Sequence, residues 1–182
     1  MFTTFCYTSY MINGEELLYV VDENNNPVEG KSRNETHAKN LWHRCSHIWV
    51  VNSKNQVLCQ KRTMLKDKNP GMWEAHFGGH VRYAEEYIDN ALIESKEEIG
   101  LDRNKEDMIF FKIYKYNKDK EFQGIFYTYW NGDSKDLKLE KEEVETITWI
   151  AITELRKIFK EKDKAWVHQG YEEKILNSLS KD

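Results

Sequence analysis

Glutamates clustered between Gly79 and Leu101 stand at spacings that could hold a divalent cation. On a helical wheel, Glu97 and Glu98 lie three and four residues after Glu94, so the three carboxylates project from one face. Carboxylates crowded beside an apolar face repel one another and need a compensating cation, and oxygen-rich clusters suit Mg²⁺ or Mn²⁺. A solvated acidic face is the alternative, because runs of charge commonly only face water.

The helix that must position these carboxylates is predicted over residues 86–99. A second arc of its wheel is largely apolar and predicts packing against a core. That arc consists of Ile88, Ala91, Leu92, Ser95 and Ile99. Gly100 follows the last turn, where glycine is favoured as a C-cap.

The spacing from Gly79 to Leu101 resembles the Nudix box, G-x5-E-x7-R-E-U-x-E-E-x-G-U, in which U is a bulky aliphatic residue. Two positions depart from it, since Ile93 stands where the box has arginine and Ser95 stands at the first U. The positions that match in register are Gly79, Glu85, Glu94, Glu97, Glu98, Gly100 and Leu101. The stretch is therefore identified as a Nudix box with an atypical centre.

This resemblance implies metal ligands and catalytic residues. In the family the box glutamates hold Mg²⁺ or Mn²⁺, which carries over to Glu94, Glu97 and Glu98. The carbonyl just before the box glycine, here that of Gly78, is often a further ligand. The resemblance also implies that Glu98 and Glu94 are catalytic, with Glu98 favoured as the general base.

The missing arginine bears on Glu85. In the family the box arginine pairs with this glutamate and braces the loop against the helix. With Ile93 in that place Glu85 loses its partner, and we expect metal binding to be retained with Glu85 repositioned. An inactive, ligand-binding descendant is the alternative.

Residues 37–80 resemble the Nudix subgroup related to type I isopentenyl-diphosphate isomerase. The similar pieces are H-x5-H-R-x2-H beginning at His37, QKR at 60–62, and KDKNPGMWEAHFGGH ending at His80. The isomerase uses a cysteine and a glutamate to move protons on an isoprenoid alkene. Because that cysteine aligns with Gly78, the comparison argues against isomerase activity.

Histidines in the same region could form a second metal site. His37, His43 and His80 match the spacing of histidines associated with the isomerase metal site. Glu121 and Gln123 fall near its two glutamate ligands, so one of those ligands is an amide here. Imidazoles with a carboxylate would hold Zn²⁺ or Mn²⁺, and hydrogen-bonded structural histidines are the alternative.

Basic residues near the end of a predicted strand could contact phosphate. Lys61 and Arg62 end the strand predicted over 56–62, and Arg62 offers a bidentate contact. Lys66 and Lys68 follow in the next loop, where we interpret them as surface residues that favour solubility.

Composition limits the class of protein and its partners. The 182 residues suit one domain with a substantial core, and a formal net charge of −4 gives no field that would attract nucleic acid. No apolar run approaches the length of a membrane span. The three cysteines lack paired spacing and fit reduced thiols, so we expect a cytoplasmic protein, with a homodimer as the commonest assembly.

The order of the predicted elements indicates an α/β fold, and the resemblance implies a Nudix-like α/β/α sandwich with a mixed sheet. β-rich segments at 16–22 and 28–33 predict a β-hairpin within an N-terminal extension, residues 1–36. Residues 37–182 are then the Nudix domain with C-terminal helices. Thr153 is predicted to cap the first of those helices.

The leading hypothesis is a metal-dependent hydrolase that cleaves a diphosphate linked to another moiety, X, by attack of water on phosphorus. Its substrate would be a small molecule such as a nucleoside diphosphate derivative. Glu121 or an acid within 142–145 is the alternative general base. Two alternative functions are an isoprenoid-diphosphate phosphatase or isomerase-like enzyme and a catalytically impaired nucleotide-binding module.

Overall fold

The strand from His43 to Val51 forms the centre of the sheet in a computed structural model, which describes residues 11–12 and 15–179. Its near-continuous burial is typical of a strand covered on both faces. It pairs in parallel with the strand Glu121–Tyr129 along its whole length, so His43 lies beside Glu121. The starts of the two strands therefore bring polar side chains together.

The described part of the chain contains ten strands and four α-helices. The strands are β1 (Met11–Ile12), β2 (Glu15–Val21), β3 (Pro27–Ser32), β4 (His43–Val51), β5 (Gln56–Arg62), β6 (Trp73–Glu74), β7 (Phe77–His80), β8 (Ile109–Tyr116), β9 (Glu121–Tyr129) and β10 (Val144–Ala151). The helices are α1 (Arg33–Ala38), α2 (Tyr87–Ile99), α3 (Ile152–Glu161) and α4 (Glu172–Leu179). None of the helices in this part of the chain is long and apolar enough to cross a bilayer.

β4 has partners on both edges. On the edge opposite β9, its first half pairs antiparallel with β7, from Cys45 opposite His80 to Ile48 opposite Phe77, and its end pairs with β5. β10 continues the sheet beyond β5, and β8 continues it beyond β9. The resulting sheet is mixed, as predicted.

The N-terminal hairpin joins this sheet beside the start of β4. β2 and β3 pair antiparallel, which is the hairpin that the sequence predicts, and β2 meets β4 where Val20 lies opposite His43. α1 follows β3 directly and begins with Arg33. The division of the chain at residue 36 remains a prediction, and the preceding segment 1–10 lies outside the described residues.

Side chains of β4 alternate between two cores. Trp49 packs with Leu155 of α3 and with apolar residues of α4. Ile48, its neighbour in sequence, packs on the other face with Ala91 of α2. Helices therefore cover both faces of the sheet, which confirms the predicted α/β/α sandwich.

The start of α3 differs from the prediction. Thr153 lies inside the first turn, and Ala151 occupies the N-cap position. The reason is that β10 runs directly into the helix, so no polar loop residue is left to cap it. The Thr153 cap was predicted from residue type alone, and that prediction is wrong.

Candidate functional site

A buried asparagine fixes α2 against the sheet. The Nδ2 of Asn90 donates to the carbonyl of His80 at 3.0 Å, and its Oδ1 accepts the hydroxyl of Ser46. Residues one and two turns after Asn90 therefore face β7. These residues are Glu94 and Glu98.

The predicted carboxylates do not share one environment. Glu98 is buried, and its Oε2 accepts the N–H of Gly78 at 2.9 Å. Glu94 packs against Gly79, where a Cβ atom would meet its carboxyl group. The Glu97 side chain is 55% exposed. All three line one cleft, with Glu94 and Glu98 as the inner pair and Glu97 at the rim.

The inner pair fits a divalent cation. Burial raises the pKa of Glu94 to about 7 and raises the pKa of Glu98 well above its usual range, with the neighbouring Glu94 charge adding to the effect on Glu98. Among the ion pairs of the described residues, none includes either carboxylate. A hard cation between them would offset their burial and favour their charged forms.

We expect the stability of the metal-free protein to fall as the pH rises from about 4.5 toward 7. The folded-state pKa of Glu94 is about 7 against an ordinary 4.5, so in this window the folded state keeps protons that the unfolded chain has released. Added Mg²⁺ should therefore raise the melting temperature more at about pH 8 than at about pH 5. Differential scanning fluorimetry measures this, and equal increments at both pH values would contradict it.

Gly78 has a backbone that a side chain would disrupt. Its φ is +140°, a conformation that residues with a Cβ rarely adopt, and a Cβ there would collide with the Ser46 carbonyl oxygen. A cysteine at this position would therefore require the backbone to move. The local geometry gives a physical reason why the thiol of the isomerase has no counterpart at this position.

A second cluster lies where β4 and β9 begin. Ligand atoms of His43, Cys45, His80 and Glu121 all lie within 4.8 Å of one another. The Nδ1 of His43 is 2.9 Å from the Leu41 carbonyl, and its buried Nε2 has no hydrogen-bond partner among the described residues. Burial lowers the pKa of His43 to about 4, so the imidazole is neutral. An Nδ1 held by a carbonyl, with Nε2 left to a ligand, is typical of metal-binding histidines.

The members of this cluster differ from the predicted set by one residue. His37 lies at its edge, with its Nε2 3.2 Å from the Nε2 of His80, and is not among the four ligand atoms. Cys45, which the sequence analysis did not include, supplies the fourth. Alternation along β4 places Cys45 on the same face as His43, and that pattern was the signal available in the sequence. Gln123 donates to Glu121 at 2.9 Å.

The two residues predicted to bind phosphate separate in the structure. The ammonium of Lys61 pairs with Glu145 at 2.9 Å, and Lys61 does not line the cleft. Arg62 does line it, and its Nη1 pairs with the buried Glu74 at 3.0 Å. Arg62 is therefore the member of the predicted pair that can meet a ligand in the cleft.

Other cations that line the cleft include the two loop lysines that were predicted to be surface residues. Lys66 pairs with Glu143, and Lys68 lies 3.5 Å from Asp119. Arg33, the first residue of α1, also lines the cleft, and no ion pair or hydrogen bond of its side chain is found in the described chain. The lysines interpreted as surface residues therefore belong to the wall of the cleft.

Two further histidines line the cleft. The rings of His47 on β4 and His76, just before β7, stack with centroids 4.0 Å apart, and each residue is 7% exposed. Burial lowers the pKa of His76 to about 3 and the pKa of His47 well below its usual range. Both rings are therefore neutral near pH 7.

Comparison with known proteins identifies the family. The NUDIX domain model matches residues 41–170. This chain belongs to the Nudix family. It is 32% identical over 166 residues to a Clostridium acetobutylicum protein named as an uncharacterised Nudix hydrolase, covering 86% of this chain and 80% of that protein.

A second relative and a solved structure extend the comparison. The chain is 28% identical to isopentenyl-diphosphate Delta-isomerase 2 of Photorhabdus laumondii, over 91% of this chain and 93% of that protein. A crystal structure from Deinococcus radiodurans has the same fold, with a TM-score of 0.71 at 15% identity, covering 91% and 100% of the two chains. The protein is a Nudix-type pyrophosphohydrolase in a subgroup related to the isomerase. Nudix hydrolases generally use divalent metals and act on small-molecule diphosphates.

The structure accommodates the serine that departs from the Nudix box. Ser95 is buried, and its hydroxyl lies 3.0 Å from the Leu92 carbonyl and 3.1 Å from the Leu101 carbonyl. These contacts satisfy a polar group in a position that the box gives to an aliphatic residue.

An arginine from outside α2 contacts the carboxylates of the Nudix box, although the box arginine itself is missing. Arg82, in the loop between β7 and α2, pairs through Nε with Glu16 and lies with Nη2 3.5 Å from Glu97. Burial raises the pKa of Glu85, and the charge of Arg82 offsets part of that increase. A guanidinium therefore lies among the carboxylates of the Nudix box although Ile93 replaces the box arginine.

Proposed function

We propose that this protein hydrolyses a diphosphate linked to another moiety, X, with divalent ions held at Glu94 and Glu98. The observation that carries the proposal is the inner pair of carboxylates, the buried Glu98 and the half-buried Glu94, which forms no ion pair among the described residues and lines the cleft. Glu97 at the rim and the carbonyl of Gly78 complete the proposed ligand set, in keeping with the family resemblance. Mg²⁺ or Mn²⁺ suits these oxygen donors.

Each residue has a proposed task in the reaction. Bound divalent ions neutralise diphosphate charge and make water a stronger nucleophile near neutral pH. Glu98 takes the proton of the attacking water, in keeping with the family resemblance, because its carboxylate lies buried at the cleft beside Glu94. Arg33, Arg62 and the loop lysines Lys66 and Lys68 hold the phosphate oxygens, because these cations line the same cleft.

We further propose that His43, Cys45, His80 and Glu121 bind a second metal ion, with His37 beside them. The ligand atoms lie within 4.8 Å of one another, and the orphan Nε2 of His43 lies 3.8 Å from Glu121. Two imidazoles, a thiol and a carboxylate favour Zn²⁺, with Mn²⁺ as the alternative.

Removing one ligand should weaken this second site. We expect His43→Ala and Cys45→Ser each to lower affinity for Zn²⁺ at least about tenfold, since each removes a donor atom that the others cannot replace. Metal analysis after dialysis against limiting Zn²⁺ measures the loss. Cys59→Ser, a buried cysteine in the core under α3 and α4, is the matched control. Unchanged metal content in both site variants would end this proposal.

The isomerase-like relative calls for a second candidate, an enzyme acting on isoprenoid diphosphates. Gly78 supplies no thiol, and Cys45, which also lines the cleft, belongs to the cluster assigned here to the second metal ion. Proton transfer on an alkene therefore lacks the thiol that the isomerase has at the position of Gly78. A phosphatase acting on prenyl diphosphates would use the same metals and differs from the leading proposal in X alone.

Phosphate release from a panel of diphosphates tests the proposal. The panel contains nucleoside di- and triphosphates, nucleotide sugars, dinucleotides, coenzyme A and prenyl diphosphates, each with Mg²⁺ and with Mn²⁺. We expect metal-dependent turnover of at least one class that Glu98→Gln abolishes. Folded protein that binds nucleotide without turnover would favour the impaired binding module instead.

A further inference from the structure

A second cavity lies between α3, α4 and the segment that joins them, outside the cleft of the proposed hydrolysis. Its volume is about 620 Å³, which is within the usual range of small-molecule sites. Of the described residues, Gln169 alone lines both this cavity and the cleft. We call it the helix cavity, and the residues used below are Tyr116, Arg156, Phe159, Lys160, Lys162 and Leu176. The proposed hydrolysis uses none of these six.

Part of the helix cavity is an apolar surface that is held in place. Phe159 is half-buried, and its ring contacts the rings of Trp166 and His168 edge to face, with centroids 5.8 and 5.6 Å away. Leu176 of α4 is fully buried behind it, and Tyr116 at the end of β8 is half-buried. The accessible parts of these side chains suit the flat face of a ring.

The cavity also collects positive charge, although the whole chain is acidic. Residues 156–164 contain five lysine and arginine side chains and two carboxylates, against a formal net charge of −4 for the protein. Lys160 and Lys162 line the cavity with exposed side chains, and neither forms an ion pair with a described residue. The guanidinium of Arg156 donates to the Leu176 carbonyl at 3.0 Å, which fixes a third positive charge in the same wall.

The carboxylates of the cavity do not cancel this charge. Glu172 is buried and accepts the backbone N–H groups of Gln169 and Gly170, the latter at 2.8 Å, so it is committed to the segment before α4. Glu173 is exposed in the first turn of α4. An anion in the cavity would therefore meet two lysines without acidic partners, whereas a cation would meet repulsion from them.

We propose that the helix cavity binds a small organic anion, a phosphate or a carboxylate carried on a planar ring. Lys160 and Lys162 contact the anionic group, and the ring packs on Phe159. Phosphate and carboxylate share this chemistry, since both present anionic oxygens to ammonium groups. The site is separate from the proposed hydrolytic site and needs neither its metal ions nor its turnover.

Calorimetry in the presence of EDTA tests binding to the natural protein. The probes are phenyl phosphate, benzoate and methyl phosphate, which lacks the ring. We expect phenyl phosphate or benzoate to bind with a Kd below about 1 mM, and the tighter of the two to bind at least about fivefold more tightly than methyl phosphate. The order of phenyl phosphate and benzoate distinguishes the two anionic groups. If neither reaches that affinity, the proposal is wrong.

Paired lysine variants test the positive wall. Lys160→Ala/Lys162→Ala should weaken binding of the tighter aromatic probe at least about fivefold, because both contacts to its anionic group are removed. Lys157→Ala/Lys164→Ala is the matched control, since it removes the same charge from the same segment at exposed residues that do not line the cavity. We expect less than about a twofold change there. Equal losses in both pairs would reduce the effect to general charge and overturn the proposal.

Two further variants locate the ring and separate the cavity from the cleft. Phe159→Leu keeps an apolar side chain and should weaken the aromatic probe at least about threefold while leaving methyl phosphate within about twofold. Arg62→Ala removes a cation of the cleft and should leave the aromatic probe unaffected. A loss in Arg62→Ala as large as that in Lys160→Ala/Lys162→Ala would place the probe in the cleft and refute the proposal. Thermal melts establish that each variant is folded.

Discussion

We expect Glu98→Gln to lower kcat at least about a thousandfold and to leave the fold intact. Glutamine keeps the shape of the side chain, and its amide oxygen can still accept the N–H of Gly78, which Glu98 accepts at 2.9 Å. The variant loses the negative charge that would hold a divalent ion and the group that would take a proton from water. Both losses act on the chemical step, so kcat should fall far more than substrate affinity.

Phosphate release at saturating Mg²⁺, with melting curves for each variant, measures this effect. Glu161→Gln is the matched control, since Glu161 is an exposed glutamate at the end of α3. If Glu98→Gln keeps more than a tenth of the turnover, the base lies elsewhere. Glu121→Gln and Glu143→Gln would then distinguish the alternatives, because Glu121 lies in the histidine cluster and Glu143 pairs with Lys66.

Much of the fold could be predicted because the sequence patterns that indicate its elements involve residues close together in the chain. The apolar arc of α2, the glycine that ends it and the turn between β4 and β5 each depend on residues close together in the chain. The element order, with strands around one central helix, then indicates an α/β fold, and the resemblance to the Nudix family implies the α/β/α sandwich. Short strands such as β6 and β7 leave no such periodicity, and they form because β5 and β4 supply their partners.

The site was harder to predict, because its contacts join residues far apart in sequence. Cys45 enters the histidine cluster through the register of β4 against β7 and β9. Lys66 and Lys68 belong to the cleft because their loop folds toward Glu143 and Asp119. The box predicts the three carboxylates, but Glu98 is buried, Glu94 is half-buried and Glu97 is exposed, and helical spacing does not reveal these differences.

Arg82→Ala should weaken binding of Mn²⁺ about 10- to 100-fold, and adding Ile93→Arg should restore much of it. Arg82 contacts Glu16 of the N-terminal hairpin and Glu97 of α2, and its buried Nη1 has no hydrogen-bond partner among the described residues. Its charge offsets repulsion among carboxylates and holds the rim of the cleft in place. The Nudix box places an arginine at position 93, so Ile93→Arg supplies the same charge from α2.

Calorimetric titration of Mn²⁺ into the wild type, the single variants and Arg82→Ala/Ile93→Arg measures the coupling between the two positions. Arg82→Lys should retain part of the affinity, because it keeps the charge and loses the planar fork. Glu16→Gln is the matched control, since it removes the charge from the contact with the hairpin while Arg82 still reaches Glu97, and we expect less than about a threefold change. Loss of affinity in Glu16→Gln equal to that in Arg82→Ala would mean that anchoring of the hairpin, rather than charge beside the glutamates, is what the arginine contributes. Rescue by Ile93→Arg would instead show that a guanidinium is required beside these carboxylates and that Arg82 supplies it from the loop between β7 and α2.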